Sequence, residues 1–151
     1  MHQESTLHAK ADLGKRFIAK LIDSLIAAAL GVVVASFSAT LGGIAGSVYL
    51  LVRDGLEFDF MNQRSIGKHV MGLRVVRLDG APMDIETSMQ RNWMWAVGGL
   101  LPATMFANGF LGAAATVILV VVIIGEYYRV VTDPAGRRWG DELAKTQVVE
   151  A

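Results

Sequence analysis

Two stretches of the chain, Ser24 to Val52 and Asn92 to Gly125, carry no charged side chain; they are 29 and 34 residues long, and all 14 basic and 14 acidic residues lie outside them. One helical crossing of a bilayer core takes roughly 20 apolar residues, and a buried helix of a water-soluble domain seldom needs so many. The stretches therefore predict an integral membrane protein. A hydrophobic content of 53% and a mean hydropathy of +0.43 point the same way. Zero cysteines exclude disulfides, thiolate metal sites and thiol catalysis. A net charge of zero with scattered arginines gives no nucleic-acid footprint.

The expected first crossing is Phe17 to Ala39, followed by the uncharged turn "SATLGG" and a second crossing from Gly43 to Phe60. The second apolar block is too long for one helix, and "PATMFANG" breaks it into Trp93 to Phe106 and Gly109 to Tyr128, with Pro102 marking a kink or a helix end. The run "TVILVVVII" would suit a strand in water, but in lipid a lone strand leaves its backbone unpaired, so helix is expected. Lys10, Lys15, Arg16 and Lys20 precede the first crossing; Arg64, Lys68, Arg74, Arg77 and Arg91 fall between the second and third; Arg129, Arg137, Arg138 and Lys145 follow the fourth. Basic residues concentrate on the cytoplasmic side, so both termini and the central loop, residues 62–91, belong there. Trp93, Trp95, Tyr127 and Tyr128 are expected at the membrane interfaces. A signal peptide ending near "ASFSA" fits less well, because the apolar run is too long and contains Asp23. In the loop, "GLRVVRLDGAPMDI" carries the hairpin signal Asp79-Gly80, and "KTQVV" near the C-terminus offers a further strand. The expected architecture is an all-α membrane protein: one domain, residues 1–151, built as a four-helix transmembrane bundle of two helical hairpins. A small cytoplasmic loop and β-hairpin cap and a tail, residues 129–151, complete it.

Asp23 lies within the first apolar helix, where an ionised carboxylate facing lipid costs a few kcal/mol or more. In steps of four it is followed by Ala27, Gly31, Ala35 and Ala39, a ridge of small side chains that lets helix backbones approach. Backwards from Asp54 the same steps read Leu50, Gly46 and Gly42, so the two ridges can face each other in an antiparallel hairpin with both acids near its cytoplasmic end. Arg16, Lys20 and Arg53 are the expected cationic partners. The cluster reads either as an ion- or proton-handling site or as buried ion pairing that fixes helix register.

Three segments together resemble the RDD family of small bacterial membrane proteins, named for one arginine and two aspartates. "GKRFIAKLIDSLI" carries Arg16 and Asp23; "RSIGKHVMGLRVVRLDGAPM" carries Gly67, Lys68, Gly72, Leu73, Val75 and Gly80; "GRRWGDELAKTQVV" carries Asp141, Ala144, Thr146 and Val148. The second aspartate of the family corresponds to Asp54 or Asp141, the pattern D-x-x-A-x-T-x-V-V favouring Asp141. His69 stands where the family often has a basic residue, which would make the loop charge depend on pH. The resemblance implies the bacterial cytoplasmic (inner) membrane and transport of an unidentified ligand, with sodium/proton antiport associated with some members.

Three functions remain open on the sequence. A small-solute or cation/proton transporter would use Asp23, Arg16, Asp54 and Asp141, with Na+ or H+ as its ion and a homo-oligomer to enclose the pathway. A membrane scaffold or assembly factor would bind a partner protein through the loop and tail. An intramembrane aspartyl enzyme is disfavoured because neither acid sits in the sequence context of such proteases. His2, His8 and His69 lack metal-ligand spacing, so no metal, cofactor or enzymatic activity is expected. Lys68 in "SIGKHVMGL" lacks the glycine spacing of a phosphate loop and reads as a lipid-headgroup contact or an interfacial turn; Arg137 and Arg138 read as headgroup contacts or topology signals.

Overall fold

A computed structural model of the chain describes residues 7–57, 59, 62–105 and 109–151, with side chains except at 39, 98–105, 109–112 and 115. Among the described residues the order is α1 (Leu13–Ala35), α2 (Ala39–Val52), α3 (Ile66–Val70), β1 (Leu73–Arg77), α4 (Ile85–Met105), α5 (Gly109–Thr132), α6 (Trp139–Leu143) and β2 (Thr146–Glu150).

The start of α1 is fixed by Asp12, whose carboxylate accepts the Lys15 amide at 2.8 Å and satisfies a donor that the first turn leaves free. Its 23 residues span about 35 Å. α1 is long and apolar enough to cross a membrane. Ser38 caps α2, which ends at Val52 rather than continuing toward Phe60; position 60 itself lies outside the described residues. The helix stops because Arg53 and Asp54 turn inward, where the Asp54 amide donates to Ser88 Oγ at 3.2 Å. At 14 residues α2 is about 21 Å long, shorter than a hydrocarbon core.

The small-residue ridges meet as expected. A methyl group on Gly46 would lie 2.9 Å from the Ala27 carbonyl oxygen, and one on Gly42 would lie 2.6 Å from Ala35 Cβ, so the two backbones are in direct contact. α2 packs on α1 and α4, and α4 packs on α5 and α6. α4 begins eight residues before the expected Trp93, because the Asp84 carboxylate accepts the Thr87 amide at 2.7 Å and the segment from Ile85 to Asn92 buries Thr87, Ser88, Arg91 and Asn92. α4 continues through Pro102 to Met105, so the proline does not end it; the rest of the expected break, residues 106–108, lies outside the described residues.

The cap is a two-stranded antiparallel sheet, but not a hairpin. β1 pairs with β2 from the C-terminus, in a register running from Leu73 opposite Glu150 to Arg77 opposite Thr146. Asp79-Gly80 does form a turn, with Gly80 at φ +75° and its amide donating to the Arg77 carbonyl. The Asp79 carboxylate bonds the Arg77 guanidinium and the Ala81 amide, and the chain leaves this turn for α4 instead of a return strand. Ala11, Ala19, Leu73 and Val148, joined by Met71, form a small apolar core between cap and bundle.

Polarity is inverted relative to a water-soluble domain. Asp23, Arg53, Asp54, Arg91, Glu126 and Asp141 are all buried, whereas Leu25, Val32, Val33, Phe37, Ile118, Val121 and Ile124 are exposed. The ridge contact yields a first prediction: Gly46→Val, which forces the helices apart, destabilises the detergent-solubilised protein by at least about 1–3 kcal/mol in thermal unfolding. An enlargement at exposed Val33, Val33→Leu, leaves the midpoint unchanged.

Candidate functional site

Three carboxylates converge where the cap meets the helices. Asp23, from the middle of α1, accepts the Gly67 amide at 2.8 Å and the Tyr49 hydroxyl at 3.4 Å, and its other oxygen lies 3.2 Å from Arg53 Nη1. Gly67 has to be glycine, because any Cβ would collide with the Ala19 carbonyl and press on the Asp23 carboxyl carbon. Asp54 takes Lys68 Nζ at 2.5 Å, Arg91 Nη1 at 3.1 Å and Asn92 Nδ2 at 3.0 Å. Asp141, in the first turn of α6, takes Arg91 Nη2 at 2.5 Å, Arg138 Nη2 at 3.1 Å and Arg16 Nη2 at 3.5 Å. Arg91 thus bridges two aspartates, one following α2 and one near the C-terminus.

A fourth acid comes from α5. Glu126 is buried, neither of its oxygens accepts a hydrogen bond among the described residues, and its ion-pair partner is Arg138 Nε at 3.6 Å. Opposite it, Lys20 places its ammonium 3.2 Å from the ring centre of Trp95, a cation–π contact, and that nitrogen donates no hydrogen bond among the described residues. Between them lies a cavity of about 160 Å³. Arg16, Lys20, Arg53, Lys68, Arg91 and Arg138 line it together with the acids Asp23 and Glu126. Its remaining wall includes Phe17, Tyr127 and Val131, from α1 and α5. Near this end the Phe17 and Tyr127 rings lie 6.3 Å apart, and Lys10, in the segment before α1, donates its Nζ to the Val131 carbonyl at 2.9 Å.

The structure brings Arg16, Asp23, Asp54, Asp141, Lys20, Arg53, Gly67 and Lys68 into one cluster. Of the expected cationic partners Arg53 pairs with Asp23, whereas Arg16 pairs with Asp141 and donates to the Gly136 carbonyl. Lys20 faces Trp95 rather than Asp23, and Trp95 serves this contact within the bundle. Lys68 is buried against Asp54 rather than offered to a headgroup, because the short helix α3 tucks its first turn under α1. Gly72 stands apart: at φ +63° it turns the chain from α3 into β1. Arg91 and Arg138, read from sequence as cytoplasmic topology charges, are buried at the centre. Arg137 pairs with Asp133 at 3.5 Å. His69 is exposed. Glu126, Asn92 and Tyr49 were not legible as site residues; the one available signal was that Glu126 interrupts an apolar helix.

Burial raises the Asp141 carboxyl, but the guanidinium groups of Arg138, Arg91 and Arg16 outweigh it and hold the acid well below the usual carboxylate range. Burial lowers the Lys68 ammonium to about 8, with Asp54 opposing the shift. Burial likewise lowers Arg138, but Asp141 and Glu126 raise it above its ordinary value.

The family model described as RDD matches residues 10–145, and the chain belongs to the RDD family. No curated protein and no solved structure matches the chain. Both candidates for the second family aspartate, Asp54 and Asp141, sit on the same arginine, Arg91.

Because the folded pKa of Asp141 lies below its unfolded value, its ion pairing stabilises the protein above about pH 4 and is lost as the pH falls further. Asp141→Asn strands three guanidinium groups and costs about 3–5 kcal/mol at pH 7. Thermal unfolding in detergent checks both points: the wild type weakens between about pH 5 and pH 3, and the variant has a flatter profile over that range.

Proposed function

We propose that this RDD-family protein is a multi-pass protein of the bacterial cytoplasmic membrane that moves a small solute across it, with the charged cavity as the binding chamber. The observation that carries this reading is an apolar outer surface enclosing buried ionisable groups around an open volume, since charges retained inside a membrane protein mark ligand or proton pathways. α1 is the clear crossing; α2 and the longer α4 and α5 supply the others, and the cap, both termini and the charge cluster lie on the cytoplasmic side. A second copy encloses the pathway that four helices leave open.

Asp23 and Glu126 are the acids that line the chamber, and we assign them the proton-handling role. H+ suits the site better than Na+ as the coupling ion: Asp23, Asp54, Asp141 and Glu126 each lie beside a cation, and a metal ion would have to displace it. Among the described residues no three His, Asp or Glu side chains converge as metal ligands. A scaffold role has its own support in the apolar residues that the cap exposes, Val70, Trp139 and Leu143.

Two experiments test the reading. In the cysteine-free chain, single cysteines introduced at Asp79 and at Ser36 should react with a membrane-impermeant maleimide from opposite sides of the membrane; labelling from the same side overturns the topology. In proteoliposomes with an imposed pH gradient, the wild type should dissipate the gradient at least about 10-fold faster than Asp23→Asn, a loss of roughly 1.4 kcal/mol or more of barrier lowering. Equal rates remove Asp23 from the pathway.

A further inference from the structure

The charges around the chamber do not balance. Six cationic side chains, Arg16, Lys20, Arg53, Lys68, Arg91 and Arg138, meet four carboxylates, Asp23, Asp54, Glu126 and Asp141. The excess is two formal positive charges, in a place where uncompensated charge is costly. It is also localised. Asp54 and Asp141 are saturated by Lys68, Arg91, Arg138 and Arg16, and Asp23 takes Arg53 through Nη1, which among the described residues leaves Lys20 without an ion-pair partner and Arg53 with a spare donor at Nε. Among the described residues Lys20 Nζ donates no hydrogen bond and neither does Nε of Arg53, a residue only 2% exposed whose Nη1 faces Asp23; both side chains line the cavity. Buried donors of this kind are satisfied in nearly all proteins, so a vacant set beside an open volume marks the place of an acceptor.

We infer that the chamber binds a phosphate-bearing anion, held by Lys20 and Arg53 with Arg138 and Arg16 at its rim. A guanidinium matches phosphate oxygens with paired donors, and an ammonium adds a point charge; both kinds are present. The volume of about 160 Å³ lies below that of pockets for drug-sized ligands and suits a single compact headgroup or a small free anion. The lining combines two chemistries in a way that fits an amphiphile: beside the cations it includes Phe17, Tyr127 and Val131, with the rings of Phe17 from α1 and Tyr127 from α5 lying 6.3 Å apart. An anionic lipid would seat its phosphate on Lys20 and Arg53 and lead its acyl chains out between these helices. Inorganic phosphate would use the same donors without the apolar wall.

This assignment rests on the cavity being a ligand site, as in the proposed function, but not on transport. The test is therefore binding and not flux. Thermal unfolding of purified protein in a neutral detergent is followed with added phosphatidylglycerol, with phosphatidylcholine, with sodium phosphate and with sodium chloride at matched ionic strength. Stabilisation by phosphatidylglycerol beyond the zwitterionic phosphatidylcholine identifies an anionic lipid headgroup; stabilisation by phosphate beyond chloride identifies the free anion. Lys20→Gln, which removes a charge with no ion-pair partner, should weaken the apparent affinity at least about 10-fold, a loss of roughly 1.4 kcal/mol. The wild-type comparison needs no variant to fold. Equal stabilisation by phosphatidylglycerol and phosphatidylcholine, together with equal stabilisation by phosphate and chloride, overturns the inference, and so does an unchanged affinity in Lys20→Gln. Phosphate-dependent stabilisation in a protein that shows no flux leaves the ligand assignment standing and removes transport.

Discussion

The guanidinium of Arg91 stands between two carboxylates that are 87 positions apart in the chain, Asp54 at the end of α2 and Asp141 in α6, and touches both. Neither acid nor arginine is exposed to water, so each depends on the others for its charge to be tolerable. The bridge ties the α1–α2 hairpin to α4 and ties α4 to the C-terminal segment. Removing one member leaves the remaining charges stranded, which is a stronger constraint than any single apolar contact in the bundle. The apolar core between bundle and cap is by comparison slight, four small or medium side chains around Leu73.

Ion pairing on this scale also fixes geometry. The fork of Arg91 reaches its two acids with separate nitrogens, so a shift of α4 by one turn against α2 would lose the Asp54 contact, and the same shift against α6 would lose that to Asp141. Gly67 contributes in another way: its amide reaches Asp23 because no side chain stands between α3 and α1. The aspartate in the apolar helix is therefore held by a backbone amide, a hydroxyl and a guanidinium, from three different segments. Asp54 and Asp141, each held by more than one cation, tie the segments together. The groups that keep polar atoms without a hydrogen bond among the described residues, Lys20, Arg53 and Glu126, gather around the open volume, and of the three only Lys20 has no ion-pair partner there.

Much of the fold was legible along single helices. The two charge-free stretches located α1 with α2 and the apolar parts of α4 and α5, and the i,i+4 ridges, which follow from the 3.6-residue period, identified which faces of α1 and α2 meet. The boundaries were less legible. α4 starts in a polar segment, since the Asp84 cap and a buried polar face at Thr87, Ser88 and Arg91 make a helix that hydropathy does not register. The Asp79-Gly80 turn has the chemistry of a hairpin, but the strand that pairs with β1 comes from the other end of the chain.

The sequence by itself determined that this chain has long apolar helices, that Asp23 and Asp54 face protein, and that its arginine and aspartate motifs are those of the RDD family, because these follow from residue identity and local spacing. Only the tertiary structure decided the pairing: Arg16 with Asp141, Arg53 with Asp23, Lys68 and Arg91 with Asp54, and Lys20 with Trp95. Coulomb attraction does not distinguish one arginine from another; the distance between them does, and that distance is set by how α3, α4 and α6 dock on the α1–α2 hairpin.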